Sequence, residues 1–212
     1  MMNLEGEIIA IGAESTISKV QVWGQDYVLK YRPSKPYLIP EIDELLRESR
    51  TNRECKGLTI ARSLGIPTPT VQTIDLNDFS ILMDYIPGQQ LKQIAGHLSK
   101  QQLGKLCNRF GELIAYLHRG GIVHGDPTTS NLLVTQNDKI WIIDFGLSEM
   151  NATIEMKGVD LHLIKRALET THWDIQDEML SKTLEGYTAT LGEESEPILQ
   201  RMEEIRERGR YH

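Results

Sequence analysis

Cysteine is scarce in this 212-residue chain: only Cys55 and Cys107 occur, in neither a CxxC nor a metal-ligand spacing. That excludes a disulfide framework and a thiolate metal cluster, and leaves two reduced thiols of an intracellular type. Long apolar runs are also missing. The best stretches, Phe79 to Met83 and Ile140 to Ile143, are strand-length, far short of the ~20 residues a membrane-spanning helix needs. The opening MMNLEGEIIAIG has no basic start and no continuous apolar core, so no secretion signal is expected and the chain reads as soluble and cytoplasmic. Positive charge is short as well: 23 Lys and Arg face 30 Asp and Glu, a net −7 that weighs against a whole-surface nucleic-acid binder but leaves room for local basic patches. No internal repeat and no low-complexity segment occurs.

What is present is ordinary globular composition, 40% hydrophobic and 25% charged, in a length that suits one large domain or two small lobes. Short β-branched or aromatic runs predict strands at Glu7–Ile11, Ile17–Trp23 and Asp26–Tyr31, the last two joined by a turn at Gly24-Gln25. Pro40 suits a first helical position, and Ile42, Leu45, Leu46, Leu58 and Ile60 supply the apolar positions of a long helix that Gly65-Ile66-Pro67 ends. Two further strands are expected at Thr70–Ile74 and Phe79–Ile86. Pro87-Gly88 then marks a boundary between an N-lobe over 1–86 and a mainly helical C-lobe over 87–200, with a basic tail over 201–212. In the C-lobe, Leu103, Leu106, Phe110, Leu113, Ile114 and Leu117 recur at helical spacing within Gln101–Arg119. Short strands at Leu132–Thr135 and Lys139–Ile143 follow, then helices at Val159–Thr170, Asp177–Leu191 and Pro197–Arg208.

The chemistry lies between these elements. Phosphoryl transfer needs an oriented hydroxyl and Mg²⁺ held against nucleotide phosphates. Asp126, followed five residues later by Asn131, has the spacing of a catalytic loop with Asp as base or orienter and Asn as metal ligand. Thirteen residues further on, Asp144-Phe145-Gly146 closes a strand, where the Asp144 carboxylate reaches a metal. Either triplet alone arises by chance; the two in order on strand ends do not fit unrelated turns. Lys30, on the third strand, suits an α/β-phosphate contact, although alone it would read as an edge-strand lysine. Glu54, in the long helix, suits an ion pair to Lys30 or an exposed helix charge. The segment Ile11-Gly12-Ala13-Glu14-Ser15 falls where a phosphate-covering loop belongs, yet its single glycine also fits an empty hairpin turn. Lys19 joins this nucleotide set, and Met83-Asp84-Tyr85-Ile86 lies where adenine would stack, so Met83, Asp84 and Ile86 are candidate contacts. Asp160 begins a helix, either bracing the catalytic loop or merely favouring the helix dipole.

Taken together these residues resemble one family, the small atypical Ser/Thr protein kinase of the KEOPS (EKC) complex. The resemblance runs through Gly12-Ala13-Glu14, Lys30-Tyr31-Arg32-Pro33 with Lys35, and Arg50-Thr51 leading to Glu54. It continues through His124-Gly125-Asp126, Thr128-Thr129-Ser130-Asn131, Ile143 to Leu147, Glu155 with Lys157, Val159-Asp160-Leu161 and Thr171-His172, and closes on Arg206-Glu207-Arg208-Gly209-Arg210. It implies an α+β, protein-kinase-like bilobal fold using ATP with Mg²⁺, or Mn²⁺ in its place. It implies weak Ser/Thr kinase activity and an ATPase role in forming threonylcarbamoyladenosine on tRNA. The partners it implies are a metalloprotein (threonylcarbamoyltransferase) subunit and a small regulatory subunit, with tRNA met indirectly or through the tail, and no membrane. Nuclear residence would follow only for a eukaryotic source. Pro127 stands where the family usually has Leu, which biases Asp126 toward extended angles.

Only thirteen residues separate Gly146 from Asp160, with no APE triplet; Gly125 replaces the usual loop arginine and Thr128 the usual lysine. Slow turnover independent of loop phosphorylation is therefore expected. The readings left open beside this one are a RIO-like or small-molecule kinase and a nucleotide-binding pseudokinase scaffold.

Overall fold

The computed structural model describes residues 6–208. Residues 1–5 of the opening segment, and Gly209 and Arg210 of the C-terminal basic pattern, lie outside the described residues.

The first layer is a five-stranded antiparallel sheet built from β1 (Gly6–Ile11), β2 (Thr16–Val22), β3 (Gln25–Tyr31), β4 (Val71–Asp75) and β5 (Ser80–Asp84), in the order β1-β2-β3-β5-β4. Val22 pairs with Gln25, so the hairpin turn is Trp23-Gly24, one residue earlier than the Gly24-Gln25 expected. Both turn residues have positive φ, 50° and 78°, the geometry of a two-residue turn whose twist matches the flanking strands. Register puts Ala10, Ile17, Lys30 and Ile81 on one face, with Val28 and Met83 two residues along. A register shift between Ile8 and Ala10 bends β1 over that face.

Helix α1 (Pro40–Ser63) crosses behind the sheet, with Pro40 in its first turn. The apolar face expected of Ile42, Leu45 and Leu46 does not point inward: these residues are 47%, 65% and 47% exposed. The inner face carries Asp43, Thr51, Glu54, Gly57, Leu58 and Ala61 instead. The helix is therefore held partly by charge pairing, a pattern that hydrophobic periodicity does not register.

Beyond Asp84 the chain forms β6 (Gly88–Gln90), the four-residue α2 (Leu91–Ile94), α3 (Lys100–Arg119) and β7 (Ile122–Val123). Then come β8 (Leu132–Thr135), β9 (Ile140–Ile142), β10 (Glu149–Met150), α4 (Ile154–Thr171), α5 (Gln176–Leu191) and α6 (Ser195–Arg208). The six apolar positions read on α3 are all buried, as its periodicity demands. Strand β6 was not expected; it pairs with β8, which pairs with β9, and so forms the floor beneath the first sheet. Helices α3 and α5 pack backbone to backbone because a Cβ on Gly111 would meet the Thr183 carbonyl at 1.8 Å, and one on Gly186 the Asn108 carbonyl at 2.0 Å. Residues 201–208 continue α6 and do not leave it as a separate tail; Ile198 and Met202 seat that helix in the core beside α4. Among the described residues no helix is long and apolar enough to cross a membrane.

Cys55 and Cys107 are both free thiols, partly and fully buried; burial pushes them up to about 11 and about 12. That shift runs opposite to the one that activates a thiolate nucleophile.

Candidate active site

Between the two sheets lies a cavity of about 380 Å³. Its roof is the face set by strand register, with Ile9, Ala10, Ile17 and Val28. Met83, Asp84, Tyr85 and Ile86 line one side, and Leu133, Gln90 and Gln93 the floor. Mostly apolar walls with a polar inner end suit a flat base joined to a charged tail. The expected Met83, Asp84 and Ile86 are there, although the Asp84 carboxylate is already used, accepting from the Thr70 backbone N–H at 3.0 Å and from Gln72 at 2.8 Å. The roof and floor residues escaped the sequence reading because a single apolar side chain carries no motif.

The inner end is charged and tightly paired. Lys30 Nζ lies 2.8 Å from Glu54 Oε1 and 2.8 Å from Asp144 Oδ1. Glu54 turns its other oxygen to the guanidinium of Arg32, which also donates to Thr51 Oγ1 at 3.4 Å. Lys30, Arg32 and Glu54 are at most 4% exposed. So the Lys30–Glu54 ion pair is made, and Glu54 is no surface charge. Burial works against the Lys30 ammonium, but Glu54 and Asp144 outweigh it and hold its pKa above the ordinary value. Burial likewise opposes ionisation of Asp144; Lys30 reverses the balance and keeps that carboxyl below its usual range. Arg32 is the partner that sequence reasoning left without a role, because its position marks no kinase triplet.

Asp144 sits at φ +63°, in the left-handed region, at the end of the strand region carrying β9. The segment after it is clamped to α1. A Cβ on Gly57 would meet Phe145 Cβ at 2.6 Å and Ser148 Oγ at 2.5 Å, so the helix and the segment touch with no side chain between them. Arg50 donates to the Gly146 carbonyl at 3.3 Å, and Arg53 pairs with Glu149 at 3.2 Å.

The catalytic-loop candidates meet these groups from below. Asn131 donates its amide to both the Asp126 carbonyl and Asp126 Oδ2, each at 2.9 Å. With its nitrogen committed there, the Asn131 amide oxygen is left for a cation. His124 is fully buried; its Nδ1 accepts from the Asp126 N–H at 3.2 Å, which makes Nε2 the donor to the Ile143 carbonyl at 3.1 Å. One residue on, Gly125 has φ +82°, and a Cβ there would meet the Leu147 carbonyl at 2.2 Å. The arginine common at this place in kinases does not fit.

Asp160 braces the loop. It accepts from the His124 N–H at 2.7 Å and the Gly125 N–H at 2.8 Å, and faces His118 Nε2 at 3.3 Å. It does not begin a helix as expected: α4 starts at Ile154 with Thr153 capping Met156, so Asp160 sits within the helix, 1% exposed, where a dipole contact is no account of it. Behind it, His118 Nδ1 meets the Tyr187 hydroxyl at 2.7 Å. Thr129, within the 128–131 run, is fastened by His172 at 3.0 Å.

Gly12, Ala13, Glu14 and Ser15 line a second cavity of about 260 Å³ that also touches Lys30, Asp126 and Asp144. The Gly12 N–H donates to the Ser15 carbonyl at 2.8 Å, closing the loop over this space. Two expected contacts are not brought in. Ile11 is 76% exposed and lines neither cavity. Lys19 also lines neither; it shares the face of Ile17 and lies opposite Val28, but its ammonium is taken up by Asp26 at 2.7 Å and sits over the Tyr85 ring at 4.5 Å.

A family model described as "Protein kinase domain" matches residues 6–185. The "KEOPS complex subunit Bud32" of Pyrococcus abyssi is 43% identical over 185 residues, 87% of this chain and 84% of that protein. A "Probable bifunctional tRNA threonylcarbamoyladenosine biosynthesis protein" of Methanothermobacter thermautotrophicus is 38% identical over 99% of this chain. One of the same description from Methanosarcina mazei is 38% identical over 97%. The chain spans only 38% and 36% of the length of these two bifunctional relatives.

Proposed function

This chain belongs to the protein kinase domain family, and within it to the family of the KEOPS complex subunit Bud32, and from that premise we propose an ATP-dependent phosphotransferase and ATPase that serves threonylcarbamoyladenosine formation on tRNA as a KEOPS subunit. The observation that carries the reading is the Lys30–Glu54 and Lys30–Asp144 pairing at 2.8 Å directly above the Asp126–Asn131 loop. The RIO-like, small-molecule-kinase and scaffold alternatives have no comparable support.

In this reading adenine lies between the roof residues and Leu133, and Gly12 to Ser15 cover the phosphates. Lys30, held charged by Glu54, orients the α- and β-phosphates. Mg²⁺, or Mn²⁺, would be held by few protein oxygens together with nucleotide phosphates, and the Asn131 amide oxygen and the Asp144 carboxylate, both lining the cavity, would supply them. When bound, the ion neutralises charge on the phosphates. Asp126 orients the attacking oxygen, of a Ser/Thr hydroxyl or of water, and accepts its proton; Asn131 aims that carboxylate. With Thr128 and Gly125 in place of fixed cations, turnover is slow, and the clamp on α1 leaves no role for loop phosphorylation. The metalloprotein and small regulatory subunits of the complex, tRNA contact near α6, and a cytoplasmic location belong to the same proposal.

ATP hydrolysis is the test, with nucleotide binding measured beside it. Asp126→Ala should lower turnover about 100-fold or more while ATP still binds, and Lys30→Met should weaken both. Full turnover in Asp126→Ala would remove that residue from the reaction.

A further inference from the structure

Beside the reaction centre, on the α1 side of Arg32, is a recess of about 90 Å³ that the mechanism above does not use. Four cations line it, Arg32, Lys35, Arg47 and Arg50, against two carboxylates, Glu14 and Asp43. One carboxylate is spent: Asp43, 2% exposed, accepts from Arg47 Nε at 2.8 Å and from the Lys35 backbone N–H at 3.1 Å. The other is loosely held, Glu14 standing 3.5 Å from Arg50 with its side chain 52% exposed. The Lys35 ammonium has no ion pair among the described residues, and the Nε of Arg32, itself 3% exposed, has no hydrogen-bond partner. Arg47 is fixed by its stacking over Phe79 at 4.3 Å and Arg50 by the Gly146 carbonyl, so the cations are placed in advance. Arg32 and Glu14 also line the cavity that holds Asp126 and Asp144.

We propose that this recess is a phosphate-binding site, distinct from the nucleotide position, which takes the inorganic phosphate released by ATP hydrolysis. Arg32 is shared with Glu54 and Arg47 with Asp43, so the charge left for a ligand is that of Lys35 and of Arg50 once Glu14 is displaced, a pair of cations that suits a dianion. The volume, about three waters' worth, admits one tetrahedral oxyanion and excludes a nucleotide. The shared Arg32 and Glu14 join it to the place where phosphate is formed. Glu14 is the competing anion at the mouth, which phosphate displaces from Arg50. The proposal rests on the hydrolysis reading for the source of its ligand, though not for the site.

Titration of the full chain with inorganic phosphate at constant ionic strength, followed by calorimetry or phosphorus NMR with saturating ADP present, tests it. Saturable binding is expected, weakened about tenfold by Lys35→Ala and strengthened several-fold by Glu14→Gln, which removes the competitor. A titration that does not saturate, or variant curves that superpose on the parent, overturns the site. The Glu14→Gln arm decides the matter should Lys35→Ala not fold. ATP binding in the same samples separates the two readings. Intact ATP binding without a phosphate response sinks this site alone; a phosphate response without ATP binding sinks the nucleotide reading alone.

Discussion

Replacing Asp160 by Asn keeps the shape of the side chain and removes only its charge and one acceptor. Three N–H groups converge on the two carboxylate oxygens: those of His124 and Gly125, at 2.7 and 2.8 Å, and the His118 ring at 3.3 Å. An amide offers one oxygen. Its NH₂ must then face at least one of those donors in a site 1% exposed, with no water to relieve the clash. Losing one charge-assisted bond and leaving a buried N–H unsatisfied costs about 2 to 4 kcal/mol. Relief from burying a charge returns part of this, so about 2 to 3 kcal/mol is expected. For a domain of this length that lowers Tm by roughly 5 to 12 °C. The effect on turnover is separable. His124 and Gly125 precede Asp126, so a slack loop should lower kcat for ATP hydrolysis about 10- to 100-fold while KM, set by the roof residues and Met83 to Ile86, barely moves. Denaturant unfolding and steady-state hydrolysis read the two effects independently. An Asn variant within ~0.5 kcal/mol of the parent and equally active would refute the bracing role.

Further expectations follow from the same geometry. Burial holds His118 below its ordinary 6.5, so the unfolded chain takes up a proton that the folded one refuses. Stability is therefore full above that value and falls as pH drops through it, by about 1.4 kcal/mol per pH unit for this one group. His118→Gln should flatten the slope of unfolding free energy between pH 6.5 and 5.5, and an unchanged slope would show another group to be responsible. Restoring the common kinase arginine with Gly125→Arg forces a side chain into φ +82° and against a carbonyl 2.2 Å away. It should cost about 2 to 4 kcal/mol in thermal unfolding and not raise activity. Truncation after Glu204 keeps Ile198 and Met202 in the core, so Tm should hold. Loss of complex assembly or tRNA binding in that variant would assign the basic end to partners, and undiminished binding would assign it to none.

How much of this was legible in the chain depends on what each feature is made of. The Asp126–Asn131 spacing, Asp144 and Lys30 are motif positions, because phosphate and metal geometry dictates residue types at fixed separations, and the structure brings all four together. The α3 face was legible because burial alone sets it. Helix α1 was misread in its first half for the opposite reason: what it turns inward is Asp43, paired with Arg47 one turn on, and Thr51 and Glu54, held by Arg32 and Lys30 from across the fold. No periodicity foretells a charge pair whose partner lies on another element. Asp160 is the sharpest case. Its neighbours Gly158 and Val159 suggested a helix start, yet Thr153 caps the helix a full turn and more upstream, which carries Asp160 inward to the loop. Ile11 failed by strand alternation, since a strand offers alternate residues to opposite faces and sequence position near a loop does not choose between them, whereas Lys19 lies on the cavity face and is drawn off by Asp26 and Tyr85. Arg32 follows the same alternation from Lys30 and lands on the inner face, where it shares Glu54. The face of the third strand, read as a pattern of every second residue from Val28, would have placed it at the site without any knowledge of kinases.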